Sequence, residues 1–343
     1  MSSTRIQYLD GLRGVACLMV VAGHYMDALS PSSVVRPFDD GVLAVAIFFV
    51  ISGFILTDSF AVNIPAQRHL AGRLVRLLVP CAVALFLAYA ASSGLHYLNP
   101  DFPYFSIKTA AVHVFGSTGV TLLDPPTWTI GYEIYGSCAV LVLVLIRARS
   151  QYVWMAVCAA LIIVFGVREI GLFVIGHLMR VNWDKITRSS RTIRFSIVVL
   201  AAYFLLTECL NGSVFGGSFG TIGTGLIHTD TPLDAPHAML GALLFLAIGA
   251  SASLQAFFSH KAPDYIGKLS FSIYLIHWPI MFLLHCASSW PVTIIAGVAM
   301  TLMLSILFER YVDKPSISLN RRIKKVRLSG RVLSFSAPTG AAE

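Results

Sequence analysis

Charged side chains are scarce in this chain of 343 residues, where Asp, Glu, Lys and Arg together make up 12% of the sequence. Soluble domains carry about 25%. Hydrophobic residues reach 56%, and the mean hydropathy is +0.76. So few charges exclude a water-soluble protein, and no segment outside the apolar runs resembles a soluble catalytic domain. The composition therefore indicates a protein of the membrane.

Paired cysteine motifs, metal-ligand spacings and internal repeats are also missing. The six cysteines are scattered through the apolar runs without a C-x-x-C pair, which is typical of small packing residues rather than of disulfides or metal ligands. No pair of histidines has ligand spacing with a carboxylate, so we predict no metal site. Charged positions of the first half do not recur in the second, which weakens an inverted-repeat transporter as an interpretation.

Long apolar runs are what the chain does contain. Runs suited to cross a bilayer as helices occupy about residues 11–28, 41–60, 74–93, 127–146, 151–167, 169–180, 193–210, 237–258, 265–286 and 291–311. The stretch 104–120 favours a surface-lying helix or loop because it contains a histidine and glycines. We predict an all-α polytopic membrane protein, a bundle of about ten transmembrane helices over 1–315, with a flexible basic cytoplasmic tail over 316–343.

The basic residues predict the orientation of the chain. If the N-terminus is cytoplasmic, 22 of the 25 Lys and Arg residues lie in inside segments, as the positive-inside rule requires. Both termini are then cytoplasmic, which needs an even number of crossings. The net charge of +8 is concentrated in these segments, above all in residues 321–327. We expect this tail to attract anionic membrane lipid rather than nucleic acid.

Arg13 and His24 are the most informative polar residues within an apolar run. Eleven positions separate them, and at about 100° per residue they share one helix face, about 16 Å apart along the axis. Ionisable groups in a spanning helix suggest function. An arginine snorkelling at the helix end and a packed histidine form the structural alternative.

Three titratable side chains from three spans are expected at one depth in the outer half of the membrane, namely His24, Glu133 and His277. The depth follows from about 1.5 Å of rise per residue. Tyr274 lies one turn before His277. One such buried group is usually structural, whereas three at one level predict a polar cavity. Asp27, one turn beyond His24, could orient its imidazole or face the outer water, and the sequence leaves both open.

A second basic element opens the third span. Arg73 and Arg76 are one turn apart on a common helix face, and Pro80 follows as a predicted kink. Positive-inside bias alone explains two arginines here. Together with Arg13 they could instead form a cytoplasmic-side pocket for a phosphorylated ligand, because arginine forks suit phosphate.

The ordered motifs resemble the membrane-bound acyltransferase-3 family from Tyr8 to about Pro315. The resemblance is carried by LDGLRG (9–14) with the Arg13-x10-His24 pair, FFVISGF (48–54), the Arg73/Arg76/Pro80 block, PTWTIGYEIYG (126–136), IGKLSFSIYLIHWP (266–279) and ERYVDKP (309–315). The W-T-x-x-Y-E form resembles the exopolysaccharide and Nod-factor-modifying branch. Two positions depart from the pattern: Gly72 replaces the first of the usual paired arginines, and Ile134 replaces the second glutamate of the other branch.

The resemblance implies a ten-helix O-acyltransferase of the bacterial inner membrane. It would move an acyl group, commonly acetyl, from acyl-coenzyme A (acyl-CoA) to a hydroxyl of an envelope or exported carbohydrate or a lipid-linked glycan. Acyl-CoA would be a co-substrate, and no cofactor would be bound permanently. In the family, the arginine and histidine that match Arg13 and His24 are held essential. Trp128 and Tyr132, within a matching motif, are candidate acceptor-binding residues.

Under this interpretation Arg13, Arg73 and Arg76 bind the donor phosphates, and the thioester reaches His24. That imidazole acts as general base or briefly accepts the acyl group.

The remaining polar side chains would assist His24. Glu133 or Asp27 would orient its ring, and Tyr274 and His277 would donate to the developing oxyanion. Two other interpretations stay open: a transporter or flippase of a lipid-linked sugar that consumes no acyl-CoA, and a non-catalytic partner of a polysaccharide machine.

Overall fold

The structure is a computed structural model that describes residues 6–29, 41–60, 65–101, 125–166, 168–211, 235–287 and 289–325. These residues are predominantly helical, and none of them forms a strand. The helices are α1 Gln7–Leu29, α2 Gly41–Phe60, α3 Ala66–Leu98, α4 Trp128–Arg147, α5 Gln151–Phe165, α6 Glu169–Val181, α7 Trp183–Thr187, α8 Arg191–Asn211, α9 Ala235–Ala250, α10 Ala252–Phe258, α11 Lys261–Ala287, α12 Trp290–Phe308 and α13 Lys314–Lys325. A 3-10 turn, Pro125–Thr127, precedes α4, and a π-helical turn, Glu309–Asp313, joins α12 to α13.

Each of the ten predicted spans coincides with a helix or, for 237–258, with the pair α9 and α10, bent by 101°. Within the described residues, five helices are long and apolar enough to cross a membrane, or six if the bent pair is one crossing. The prediction of an all-α polytopic membrane protein is thereby confirmed. Ten crossings and cytoplasmic termini stay predictions, and the stretch 104–120 lies outside the described residues.

Helix α2 lies at the centre of the bundle because it is apolar on all sides. Most of its side chains are buried, and it packs against α1, α4, α6 and α9. Gly53 lies against the backbone of Phe173, and Gly176 lies against the carbonyl of Val50. Such close approach through small residues is typical of membrane helices. We conclude that α2 is the central element around which the helices with polar side chains are arranged.

Helices α1 and α11 run parallel and pack closely. Gly14 lies against the backbone of Gly267, and Gly267 lies against the backbone of Asp10. One turn further along, Cys17 Sγ donates to the carbonyl of Ser270 at 3.2 Å, and these two residues are 253 positions apart. Gly14 and Gly267 have the same offset, so the two helices keep one register. That register brings together the two histidines described below.

Residues 316–325, predicted as the start of a flexible tail, instead belong to helix α13, which corrects the prediction. The side chains of Asp313, Ser316 and Asn320 are buried, and their spacing puts them on one helix face. This face packs against α3. Hydropathy does not predict this helix because the side chains that it buries against α3 are polar. Residues 326–343 lie outside the described residues.

Candidate active site

A cavity of about 850 Å³, including its opening, lies between α1, α2, α3, α4 and α11. Its polar wall contains Arg13, Arg73, Arg76, Glu133 and Tyr274. The apolar wall comes chiefly from α2, with Val45, Phe48, Phe49, Ile51, Ile55 and Leu56. The three arginines that the sequence assigned to a phosphate pocket therefore line one cavity, and Glu133 lies among them.

Glu133 is paired with Arg73 rather than with His24. The Arg73 guanidinium donates to one carboxylate oxygen of Glu133 and to Ser137 Oγ, and Ser52 Oγ donates to the other carboxylate oxygen at 2.7 Å. The expected role of Glu133 in orienting His24 is therefore wrong. The depth count failed because α3 begins at Ala66, eight residues before the predicted span, so Arg73 lies two turns inside the helix.

Arg13 and Arg76 have no hydrogen-bond or ion-pair partner among the described residues. Arg76 is repelled by Arg13 and Arg73 and is attracted by Asp313 and, more weakly, by Glu133. Guanidinium groups withdrawn from water without a partner are costly. A cavity that concentrates such groups is suited to an anionic ligand.

His24 and His277 form a hydrogen-bonded pair beyond the cavity. His24 Nδ1 lies 2.8 Å from His277 Nε2, and the two rings are nearly parallel, with an interplanar angle of 7°. His277 is completely buried, whereas His24 is partly buried. The edge of Trp278 packs on the His24 ring at 5.0 Å between centroids. His277 is therefore the hydrogen-bond partner of His24, a role that the sequence analysis assigned to Glu133 or Asp27.

The backbone of α11 fixes the tautomers of both rings. His277 Nδ1 lies 2.8 Å from the carbonyl of Tyr274 and 3.1 Å from that of Ile273, and because carbonyl oxygens only accept, this nitrogen carries the proton. A fully buried imidazole without an acidic partner is neutral, so its Nε2 accepts from His24 Nδ1–H. The lone pair of His24 is consequently on Nε2, which hydrogen-bonds to none of the described residues. This tautomer is the form of histidine that acts as a general base.

Tyr274 stands between the cavity and the histidine pair. Its ring lines the cavity and contacts His277 at 5.9 Å between centroids. Its hydroxyl donates to the carbonyl of Pro126 at 2.9 Å and lies 2.9 Å from Thr129 Oγ1. Tyr274 thus holds the turn that precedes α4.

The expected oxyanion roles of Tyr274 and His277 do not fit these contacts, because both candidate protons are engaged by backbone carbonyls. Trp128 and Tyr132 belong to an aromatic cluster with Phe49, at 6.3 and 6.5 Å between centroids. They do not line the cavity. The side chain of Asp27 lies outside the described residues.

Ser52 and Ser137 are members of the cavity network that sequence reasoning missed. Ser52 lies in FFVISGF and reads as a close-packing small residue, but it donates to Glu133. Ser137 lies one turn after Glu133 and accepts from Arg73. The sequence did show a hydroxyl side chain in an otherwise apolar helix. Because buried hydroxyl groups normally have a hydrogen-bond partner, that feature could have predicted a polar contact for each serine.

Fold and cavity together define a multi-pass membrane protein with a buried cationic chamber and a neighbouring imidazole pair. A family model described as acyltransferase domain matches residues 6–310. The chain belongs to this acyltransferase-3 family and is a membrane acyltransferase. No protein of curated function matches it, and no solved structure does.

Proposed function

We propose that the protein transfers an acyl group, acetyl in the first instance, from acyl-CoA to a hydroxyl of an envelope or exported carbohydrate. The cavity with Arg13, Arg73 and Arg76 is the observation that supports acyl-CoA as the donor. Within the described ranges, Arg73 alone of the three has an acidic partner at ion-pair distance. CoA bears three phosphate groups, and arginine is the side chain best suited to bind them in a site withdrawn from water. The carbohydrate acceptor rests on the motif resemblance alone.

The donor would lie with its phosphates on the arginines and its pantetheine arm directed towards Tyr274. Arg13 and His24 share one face of α1, about 16 Å apart, which a pantetheine arm can span. The ring of Tyr274, packed against Phe48 at 6.1 Å between centroids, lies in the way. These two side chains must separate for the thioester to reach His24.

In the proposed reaction, the acceptor hydroxyl gives its proton to Nε2 of His24 while its oxygen bonds to the thioester carbon. The tetrahedral intermediate then breaks the carbon–sulfur bond. The proton passes from Nε2 to the departing sulfur, which leaves as free CoA. Throughout, His24 Nδ1–H keeps its bond to His277, so the pair holds the ring in place while its charge changes.

The test is transfer of radiolabelled acetyl from acetyl-CoA to glycan by membranes that contain the full-length protein. Wild-type membranes should label the glycan, and mass spectrometry should find one added acetyl group. His24→Ala should lower the rate at least about a hundredfold, as expected for loss of a general base. The matched control is His260→Ala on an exposed position, which should keep full activity.

Full transfer by His24→Ala at normal expression would remove the mechanism. Movement of a lipid-linked sugar without consumption of acetyl-CoA would instead favour the transporter that the sequence left open. The broken pair α9–α10 is the feature such a transporter would use. We further propose a bacterial inner-membrane location with both termini in the cytoplasm, where acyl-CoA is made.

A further inference from the structure

Helix α13 lies across the first turns of α3 and runs antiparallel to it. Asp313, at the start of α13, lies close enough to Arg76 to attract it. Asn320, two turns later, packs on Gly72, where any added side chain would meet the Asn320 amide. Lys324, one turn beyond Asn320, lies close enough to His69 to interact with it electrostatically. Residue numbers on α3 thus decrease as residue numbers on α13 increase, as expected for antiparallel helices.

Polar atoms without partners accumulate between these two helices. Both ring nitrogens of His69 and the side-chain oxygen of Asn320 are buried and make no hydrogen bond in the described part of the chain. His69 is 3% exposed and Asn320 is 9% exposed. Buried polar groups nearly always have a partner, so three such atoms on facing helix surfaces are suited to bind a polar ligand.

Lys324 adds a basic side chain near Arg73 and Arg76, although it is not itself among the residues that line the cavity. Its side chain is partly buried and is repelled by Arg73 and Arg76. An exposed lysine on this helix would turn to water, as Lys314 does in its pair with Glu309. With Lys324 the cluster holds four basic side chains, Arg13, Arg73, Arg76 and Lys324, and two carboxyl groups, those of Glu133 and Asp313.

We propose that α13 forms a wall of the donor site beyond the lining of the cavity and that Lys324, with His69 and Asn320, binds the ribose 3′-phosphate of acyl-CoA. This inference rests on the proposed function. Arg13 shares α1 with His24 and acts on Arg73 and Arg76, and these two arginines act on Lys324. In acyl-CoA the 3′-phosphate lies at the end remote from the thioester, so we place it at Lys324 rather than at Arg13, the arginine on the helix of His24. The family match ends at residue 310, so this wall lies beyond the matched region.

The experiment compares binding of CoA and of 3′-dephospho-CoA to the purified full-length protein in nanodiscs by isothermal titration. The wild type should bind CoA more tightly than 3′-dephospho-CoA. Lys324→Gln should weaken CoA binding about five- to tenfold, the effect of one charge-assisted contact in a partly exposed position. It should leave binding of 3′-dephospho-CoA almost unchanged, and Lys324→Arg should retain most of the preference.

Arg321→Gln is the matched control, because it removes the same charge from an exposed position of the same helix. It should change neither affinity. Asn320→Ala provides a second test that leaves all charges in place and should also reduce the preference for CoA.

Wild-type affinity for CoA in Lys324→Gln would overturn the inference, as would equal weakening of both ligands. A Lys324→Gln phenotype that depends only on anionic lipid in the nanodisc would assign the lysine to lipid phosphate and would likewise overturn it. Absence of CoA binding by the wild type would instead contradict the proposed function itself. The two failures are thus distinguishable.

Discussion

At His24 the direction of a single hydrogen bond decides which ring nitrogen is available for chemistry. The carbonyl groups of Ile273 and Tyr274 hold the proton of His277 on Nδ1, and His277 in turn holds the proton of His24 on Nδ1. A neutral imidazole therefore orients His24, as a carboxylate orients the histidine in a His–acid pair. In the proposed reaction His277 would act through His24, as a positioning residue.

We expect His277→Ala to lower kcat about ten- to a hundredfold while the KM for acetyl-CoA stays near its wild-type value, because the proposed site for the donor phosphates lies at the arginines of the cavity. His277→Gln, whose amide oxygen can accept from His24, should recover part of the rate. Steady-state kinetics on the two variants measure the split. Equal loss in both variants, or a change confined to KM, would contradict a positioning role.

Arg73 and Arg76 should respond differently to removal of their charge. Arg76→Gln should raise the KM for acetyl-CoA about tenfold without loss of thermal stability, because Arg76 has no ion-pair partner among the described residues. Arg73→Gln removes the ion-pair partner of Glu133 and leaves it the hydrogen bond from Ser52. This variant should also destabilise the fold by about 2–3 kcal/mol, less than for a fully buried pair.

The double variant Arg73→Gln with Glu133→Gln should regain the stability but not the donor affinity. Thermal unfolding and CoA titration of the three variants separate the two effects. A stable Arg73→Gln protein would show that the pair with Glu133 does not hold α3 to α4.

Residue-level prediction from the sequence succeeded where it used helix periodicity and failed where it used depth. The common face of Arg73 and Arg76 correctly brought them into one cavity with Arg13. Glu133 was assigned to His24 because its depth was counted from an assumed membrane border. The true partner could not be read from hydropathy, which does not reveal that α3 extends beyond the apolar run.

Among the helices, the packing of α1 on α11 sets the geometry of the imidazole pair. Gly14 and Gly267 meet, and ten residues further along each helix stand His24 and His277. Two parallel helices rise by the same distance in ten residues, so contact between the glycines brings the imidazoles to one level. That common interval was visible in the sequence, but only the structure shows that these two glycines meet.

Gly267→Ala should therefore reduce activity without altering a polar group. The added methyl group would overlap the carbonyl of Asp10, so α1 and α11 must move apart and the bond between His24 and His277 must lengthen. We expect at least about a tenfold fall in kcat together with a lower unfolding temperature. Gly94→Ala is the matched control, because nothing lies within 4 Å of the added methyl group, and it should be neutral. Wild-type kcat in Gly267→Ala would contradict the register argument.

Helix α13 shows where element prediction by hydropathy ends. Each predicted span coincides with a helical segment, whereas α13 is polar on average and presents Asp313, Ser316 and Asn320 to α3. The same packing gives a physical reason for Gly72, the departure from the family pattern. An arginine at that position would collide with Asn320.

For the whole molecule, the distribution of charge predicts the same side of the membrane for both chain termini. The basic excess in alternate connections requires an even number of crossings, and the parallel packing of α1 on α11, predicted spans one and nine, agrees with that alternation. Reporter fusions at the two termini measure it, and both should report the cytoplasm. Termini on opposite sides would require an odd number of crossings and would place the arginines at the wrong face for cytoplasmic acyl-CoA.

The guanidinium groups of Arg13 and Arg76, which have no acidic partner in the part of the chain that the structure describes, have a consequence for the proposed reaction cycle. They would recognise phosphates that are identical in acetyl-CoA and in the thiol left after transfer, so the cavity should bind acetyl-CoA and free CoA with similar affinity. Discharged coenzyme should compete with its acylated form at comparable concentration. The rate of transfer in the cell would then depend on the ratio of acetyl-CoA to free CoA in the cytoplasm. The extent of acetylation of the proposed carbohydrate acceptor would vary with that ratio.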